Sequence, residues 1–396
     1  VDRRQRLAIL AEAAGLDRDS RLTVPARIGG QVGITGVRLP GGGSTTLMRI
    51  MQTNACSLSC GYCPTFCGGK VRRATLAPEE AATTFMDAHR RGLAHGLFLT
   101  SGVPGRAVKA TDRMLATLEL VRRRQGFRGY VHVKLLPGAD TAQVEAAARW
   151  ADRISVNLEA PTDAHVKILA KEKDFSGDLL PKLELAGRLL AQRGDAAGAT
   201  TQFVVGPAGE RDREILGLVA RLERRRVLHH AHFSAFQPVA GTPMEGGEAT
   251  PAARELRLYQ AEHLLRQYGF AYEELPFEAD GNLPLDEDPK TAWAVAHPER
   301  FPVELETAPY ETLLRVPGIG PRTARTLVTE RVRSLMRDHR DLARAGVDVN
   351  RAGYFVTLRG RRLRTVLAPR QLRLFAPGKH LPQGVWRTST PPCAYR

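Results

Sequence analysis

Short apolar runs alternate with amphipathic stretches from about Thr46 to Met244. The runs that read as strands are residues 47–53, 96–102, 129–136, 153–160, 199–206 and 230–239. Between them, residues 78–92, 109–125, 141–152, 179–194 and 210–225 carry apolar positions at helical spacing. Pro78-Glu79-Glu80 and Ala208-Gly209-Glu210 place proline and acid at two of the helix starts. Strands spaced by helices predict a parallel sheet, curved into a partial or full β/α barrel. In such folds catalytic groups gather at the C-terminal ends of strands, where the polar residues of these segments fall.

The same pattern divides the chain. Residues 1–45 are an N-terminal extension that opens on a charged helix, and 46–250 form the barrel. Residues 251–309 hold a further helix and an acidic, proline-containing linker, and 310–396 form a basic module. No run of about 18 apolar residues is present, so a membrane span is not expected. The first residues lack the apolar core and cleavage site of a signal peptide, so the expected location is cytoplasmic.

Charge sharpens the last boundary. The 396 residues carry a formal +16, of which 310–396 alone supply +13, whereas 270–309 carry −8. An arginine-rich proteome would raise arginine everywhere but would not reverse the sign near residue 310. Arginine also suits bidentate phosphate contacts, so a polyanion is the expected partner of the C-terminal region.

Four of the five cysteines lie between Cys56 and Cys67, with Cys393 alone near the end. A secreted disulfide framework spreads its cysteines out, whereas clustering of this kind points to metal. Cys56, Cys60 and Cys63 follow the first strand in a C-x3-C-x2-C spacing, with Tyr62 just before the third. This segment resembles the signature of the radical S-adenosylmethionine (SAM) superfamily. The resemblance implies a [4Fe–4S] cluster on these three thiolates, with the fourth iron open to the amino and carboxylate groups of SAM. One electron, from a donor such as flavodoxin or ferredoxin, would then yield a 5′-deoxyadenosyl radical that abstracts hydrogen from substrate.

Cys67 leaves alternatives open. It can close a four-thiolate iron–sulfur or zinc site, pack in a loop, or return hydrogen to a substrate radical. The reading adopted is that it is not a cluster ligand and lies on the substrate side, where Lys70, Arg72 and Arg73 would favour its thiolate.

Later segments extend the resemblance. Thr100-Ser101-Gly102 is similar to the short loop that receives the SAM amino group. Asn157-Leu158-Glu159 is similar to the stretch of biotin-synthase-like members that faces the ribose and substrate, which makes Glu159 a catalytic candidate. Gln202 to Gly206, including Val204, is similar to the adenine-contacting strand, although Gln202 stands where glycine is more usual. Ser234 to Pro238 and Gly241-Thr242-Pro243 resemble a loop near the nucleoside. Lys171 and Lys173 could meet the SAM carboxylate or an anionic substrate, or form a solvated helix face. His230 and His232 share a strand face, as core groups or as a metal pair.

Residues 310–330 resemble a helix–hairpin–helix motif, with Pro317-Gly318-Ile319-Gly320 as the hairpin and Pro321 opening the second helix. The resemblance implies a phosphate held by backbone N–H groups, flanked by Arg322, Thr323 and Arg325, and largely blind to base sequence. Residues 341–355 read as a degenerate second half. Together, a radical SAM partial barrel and a C-terminal α-helical helix–hairpin–helix module resemble radical SAM proteins described as acting in DNA modification or repair. That implies a DNA base or sugar as target. Structured RNA is the second enzymatic reading, and a non-enzymatic nucleic-acid-binding iron–sulfur protein is the alternative from another class.

Overall fold

The computed structural model describes residues 2–16, 33–38, 43–194, 198–333 and 338–363. Cys393 and the basic stretch from 364 onward lie outside the described residues. The chain separates into two compact units, Val1–Glu255 and Leu256–Arg396.

The first unit is built on a curled, open sheet of seven strands in sequence order. After α1 (Arg3–Leu16), β1 (Ile34–Arg38) runs antiparallel to β2 (Ser44–Met51), with Ile34 opposite Met48. From β2 onward every pairing is parallel: β3 (Gly96–Thr100), β4 (Tyr130–Leu135), β5 (Arg153–Val156), β6 (Ala199–Val205) and β7 (His230–Ala235). Helices α2 (Pro78–Arg90), α3 (Ala107–Glu119), α4 (Thr141–Trp150), α5 (Asp163–Leu169) with α6 (Leu180–Gln192), and α7 (Asp212–Arg224) fill the crossovers. Strand β1 escaped the sequence reading because ITGVR has neither a continuous apolar run nor a clean alternation.

Register sorts the strand residues into two faces. Leu97, Leu99, Val131, Val133, Ile154, Phe203, Ala231 and Phe233 are buried on one. The other is polar and tied together from strand to strand. Arg49 stacks 4.3 Å over the Phe98 ring, and the Lys134 ammonium donates to the Gln202 side chain at 3.2 Å. His132 bonds the Ser155 hydroxyl, which lies 2.7 Å from that of Thr200. Burying these groups costs free energy unless they are paired, and the ladder supplies the partners.

In the second unit α8 (Ala252–Tyr268), which begins just before its boundary, leads to α9 (Pro289–Ala296) inside the stretch expected to be linker. That stretch has a core of its own: Trp293, 1% exposed, stacks on His297 at 4.5 Å and meets Phe270 edge-on at 5.2 Å. Four short helices follow, α10 (Tyr310–Arg315), α11 (Pro321–Arg333), α12 (His339–Arg344) and α13 (Val349–Ala352). The unit is not purely helical. Strand β8 (Val303–Glu304) pairs in parallel with β9 (Val356–Leu358), which pairs with β10 (Arg361–Arg362). Strands of two or three residues are too short to show a period in sequence.

Lys290 of α9 is buried beneath the α10–α11 turn, donating to the Ile319 carbonyl at 2.6 Å, with its ammonium 4.5 Å from the Tyr268 ring centre. Burial lowers its pKa from 10.5 to about 7, against the pull of Asp288 and with the push of Arg351 and Arg315. Between those values the unfolded chain holds the extra proton, so this group makes stability rise with pH across that window. Denaturant unfolding of wild type and Lys290→Met from about pH 7 to 10 should show the wild type gaining relative to the variant. A stability difference that stays flat across the range would remove the buried-cation account.

Candidate functional site

The cysteine loop leaves the end of β2 and returns beside its own start. Asn54 closes it three ways: its N–H donates to the Ala74 carbonyl at 3.3 Å, its Oδ1 accepts from the Ala74 N–H at 2.7 Å, and its Nδ2 donates to the Arg72 carbonyl at 2.8 Å. Arg73 then organises the interior. Its guanidinium donates to the carbonyls of Asn54 (2.6 Å), Thr65 (2.9 Å), Phe66 (2.7 Å) and Gly69 (3.0 Å). The fork of N–H donors suits this clamp, whereas a lysine would offer one rotating centre. Sequence reasoning placed Arg73 beside Cys67 to act on its thiol. The structure spends it on the backbone instead, and nothing in the sequence separates it from Lys70 and Arg72.

Other segments hold the loop from outside. Gly61 donates its N–H to the Leu169 carbonyl at 2.8 Å and accepts from the Met244 N–H at 3.1 Å. Ser59 donates through backbone and hydroxyl to the Glu172 carboxylate. The Gly241-Thr242-Pro243 segment thus leads, through Met244, onto the cysteine loop.

Cys60 is buried, Cys56 and Cys63 are half-buried, and Cys67 is exposed. Burial pushes the Cys60 thiol up to about 11, opposed by the charge of Lys173. Burial raises Cys63 as well, while the Thr65 hydroxyl, 3.1 Å from its sulfur, pulls the other way. Among the described residues no three His, Cys, Asp or Glu side chains converge to hold a single metal ion.

The strand ends close around this loop. Gly102 donates its N–H to the Thr53 carbonyl at 2.7 Å, and a Cβ there would stand 2.3 Å from the Ala55 carbonyl oxygen, so only glycine fits. The Ser101 hydroxyl donates to the Gly102 carbonyl at 2.8 Å. Beyond β5, Glu159 adopts φ +65°, a left-handed conformation that costs a non-glycine residue about 1–3 kcal/mol. Its N–H donates to the Gln202 carbonyl (3.0 Å) and its carbonyl accepts from the Val204 N–H (2.8 Å), which continues the pairing with β6.

The Glu159 side chain, 3% exposed, accepts from the Lys173 ammonium at 2.7 Å, and that ammonium stands 3.4 Å from the Tyr62 hydroxyl. Burial pushes the Glu159 carboxyl up, yet Lys173, with Lys134 and the Tyr62 hydroxyl, outweighs it and holds the pKa below the ordinary value. Lys173 is raised: burial works against its charge, but Cys60 and Glu159 overcome it. Tyr62 is raised well above the ordinary value by burial and by Glu159. Lys171, the other lysine of the same stretch, is exposed. Asn157 Oδ1 is buried without a hydrogen-bond partner among the described residues, an acceptor awaiting a donor. Glu210 Oε2 shares that state, and burial raises its carboxyl.

The structure therefore brings Cys56, Cys60, Cys63, Tyr62, Ser101, Gly102, Glu159, Lys173, Gln202 and Val204 to one end of the sheet. His230 and His232 pack edge to face at 4.5 Å on the polar face instead.

In the second unit, residues 316–320 link α10 to α11. Ile319 is buried and Gly318 has φ +82°. A Cβ on Gly318 would stand 2.8 Å from the Asp348 carbonyl oxygen, and the Asp348 N–H donates to the Gly318 carbonyl at 3.1 Å. Reciprocally, Gly346 (φ +91°) packs against Thr323, whose hydroxyl donates to the Gly346 carbonyl at 3.0 Å. The two turns back onto each other, so Gly318 and Thr323 serve that packing. Arg322 and Arg325 are exposed and make no side-chain hydrogen bond or ion pair among the described residues.

No protein-family model and no curated protein sequence matches this chain. Among solved structures it is similar to a methylornithine synthase, with a TM-score of 0.44 and 19% identity over 55% of this chain and 60% of that one. A maturase of the [FeFe]-hydrogenase gives 0.44 and 12% over 55% and 48%. A radical SAM methyltransferase from Kitasatospora setae, with tryptophan and a SAM analogue bound, gives 0.38 and 17% over 49% and 37%. The match spans three-fifths of the first of these proteins and less than half of the other two. Likenesses this distant carry no chemistry over to this chain.

Removing one partner of a buried ion pair strands the other charge. Glu159→Gln should therefore cost about 3–5 kcal/mol in denaturant unfolding, and Glu159→Met with Lys173→Met should recover most of it. Equal losses in the single and double variants would show that the pair is not the linkage.

Proposed function

We propose that this chain is a radical SAM enzyme acting on nucleic acid, most simply on a base or sugar of DNA. The observation that carries the reading is the arrangement at one end of the sheet. Three spaced thiols of one clamped loop lie beside a buried Glu–Lys–Tyr cluster and an unpartnered acceptor at Asn157. Cys56, Cys60 and Cys63 would hold a [4Fe–4S] cluster, releasing their thiol protons on binding. Bound with SAM, that cluster supplies a 5′-deoxyadenosyl radical for hydrogen abstraction.

The chain's own residues bind and orient. Asn157 Oδ1 accepts an N–H or O–H of SAM, and the Ser101-Gly102 turn brings backbone against the loop. Gln202 and Val204 line the neighbouring strand, and Lys173, paired with Glu159, would set a cation beside the cysteine loop for the cofactor's anionic end. The electron comes from a donor such as flavodoxin or ferredoxin. In the second unit, α11 begins with uncompensated Arg322 and Arg325 beside Gly320, which suits a phosphate held without regard to sequence. Cys67, exposed on the same loop, is left for the substrate side rather than for the cluster.

Anaerobic reconstitution should give one cluster per chain that cleaves SAM. Cys56→Ala, Cys60→Ala and Cys63→Ala should each abolish both cluster and cleavage, whereas Cys67→Ala should keep the iron and the SAM-perturbed EPR signal. Incubation with DNA or RNA, a strong reductant and SAM, read by mass spectrometry of nucleosides, identifies the substrate. Strictly anaerobic protein that carries zinc and no iron would end the reading, and loss of the cluster in Cys67→Ala would make that thiol a ligand.

A further inference from the structure

We infer that the rim of the first unit, around the cysteine loop, is itself a nucleic-acid surface that grips the phosphate backbone next to the reacting nucleotide; this rests on the nucleic-acid substrate proposed above. Five unpartnered cations stand on the segments that follow the C-terminal ends of β2, β3 and β5, namely Lys70, Arg72, Arg106, Lys109 and Lys171, whereas Arg73, Lys167 and Lys173 of the same segments are hydrogen-bonded. All five are exposed, and none makes a side-chain hydrogen bond or ion pair among the described residues.

The acids of these segments are treated differently. Asp163 accepts from Ser176, Glu172 from Ser59, and Asp174 from the Gly177 N–H, so each carboxylate is hydrogen-bonded, while Glu172 and Asp174 stay exposed. Glu79, exposed in the first turn of α2, is the exception. The difference is one of contacts: these three acids are held by hydrogen bonds, whereas the five cations are held by none.

Two cations also stand where the fold itself disfavours them. Arg106 is the N-cap of α3 and Lys109 lies in its first turn, which has no acid, and Arg106 makes no side-chain cap. The positive end of a helix dipole repels such charges by about 0.3–1 kcal/mol each. A rim built for stability alone would carry serine or aspartate there. An anion laid across the helix start reverses the sign of both effects. Val108 and Ile168, 40% and 54% exposed, stand among these cations and offer apolar contact to sugar or base. A nucleic-acid strand offers phosphates to such cations and apolar sugar and base faces to such side chains.

The test uses full-length, cluster-loaded protein and fluorescence anisotropy with labelled single- and double-stranded oligonucleotides from about 50 to 200 mM salt. Arg106→Ser/Lys109→Ser lies outside the cysteine loop and should keep its iron. It should flatten the log–log salt slope by about 1.4 to 1.8, the value for two phosphate contacts, and weaken binding about tenfold. Lys70→Ser/Arg72→Ser should do the same. If wild type binds, and Arg322→Ser/Arg325→Ser weakens it while both rim pairs leave the slope unchanged, the rim inference is overturned and the substrate reading stands. If wild type binds no oligonucleotide, the substrate reading itself falls. Rim-dependent binding to phosphatidylserine vesicles, with rim-independent oligonucleotide binding, would replace the strand by a lipid surface.

Discussion

A carboxylate buried at the end of β5 needs a cation, and most of the candidate site is arranged by that need. Glu159 sits in a left-handed backbone conformation that the parallel pairing with β6 holds in place. Its charge calls in Lys173 from the segment after α5, and Lys173 in turn reaches the hydroxyl of Tyr62, between two of the cysteines. One ion pair thus ties a strand end, a helix-following segment and the cysteine loop to one another. An unpaired charge in that position would cost several kcal/mol, so the three segments are locked together.

The cysteine loop obeys a related constraint. A long excursion between β2 and α2 carries many backbone carbonyls, and those that water does not reach need donors. Arg73 supplies four hydrogen bonds from one side chain, and Asn54 closes the neck. The thiols are then presented by a shaped loop. Gly102 extends the same economy, since its lack of a Cβ is what lets the β3 turn touch the loop.

The second unit repeats the theme with other residues. Two glycine-centred turns back onto each other through Gly318 and Gly346, and Lys290 supports the first from beneath. Because the packing uses Gly318 and Thr323, the start of α11 with Arg322 and Arg325 is what the proposed polyanion would meet. The rim cations of the first unit share their character: exposed, and without a side-chain hydrogen bond or ion pair among the described residues. A folded domain leaves charges in that state cheaply only in water, where they remain available to a phosphate backbone.

Local pattern was sufficient for the crossover helices other than the seven-residue α5, for the parallel strands and for the cysteine spacing, because each is written in neighbouring residues: apolar periods, helix-start acids, and thiols within one loop. The Pro-Gly-Ile-Gly stretch was likewise legible as a turn between two helices. Local pattern could not show β1 or β8 to β10, which are too short or irregular to carry a period and exist through pairing with distant strands. Nor could it tell Lys173 from Lys171, or Arg73 from Lys70 and Arg72. Those residues are alike in type and close in sequence, and they differ only in what the fold sets against them: a buried carboxylate for Lys173, four loop carbonyls for Arg73, and water for the rest. Composition and spacing determined which side chains are candidates, and tertiary burial decided which of them are paired inside the fold, because the cost of an unpaired polar group appears only once water has been excluded.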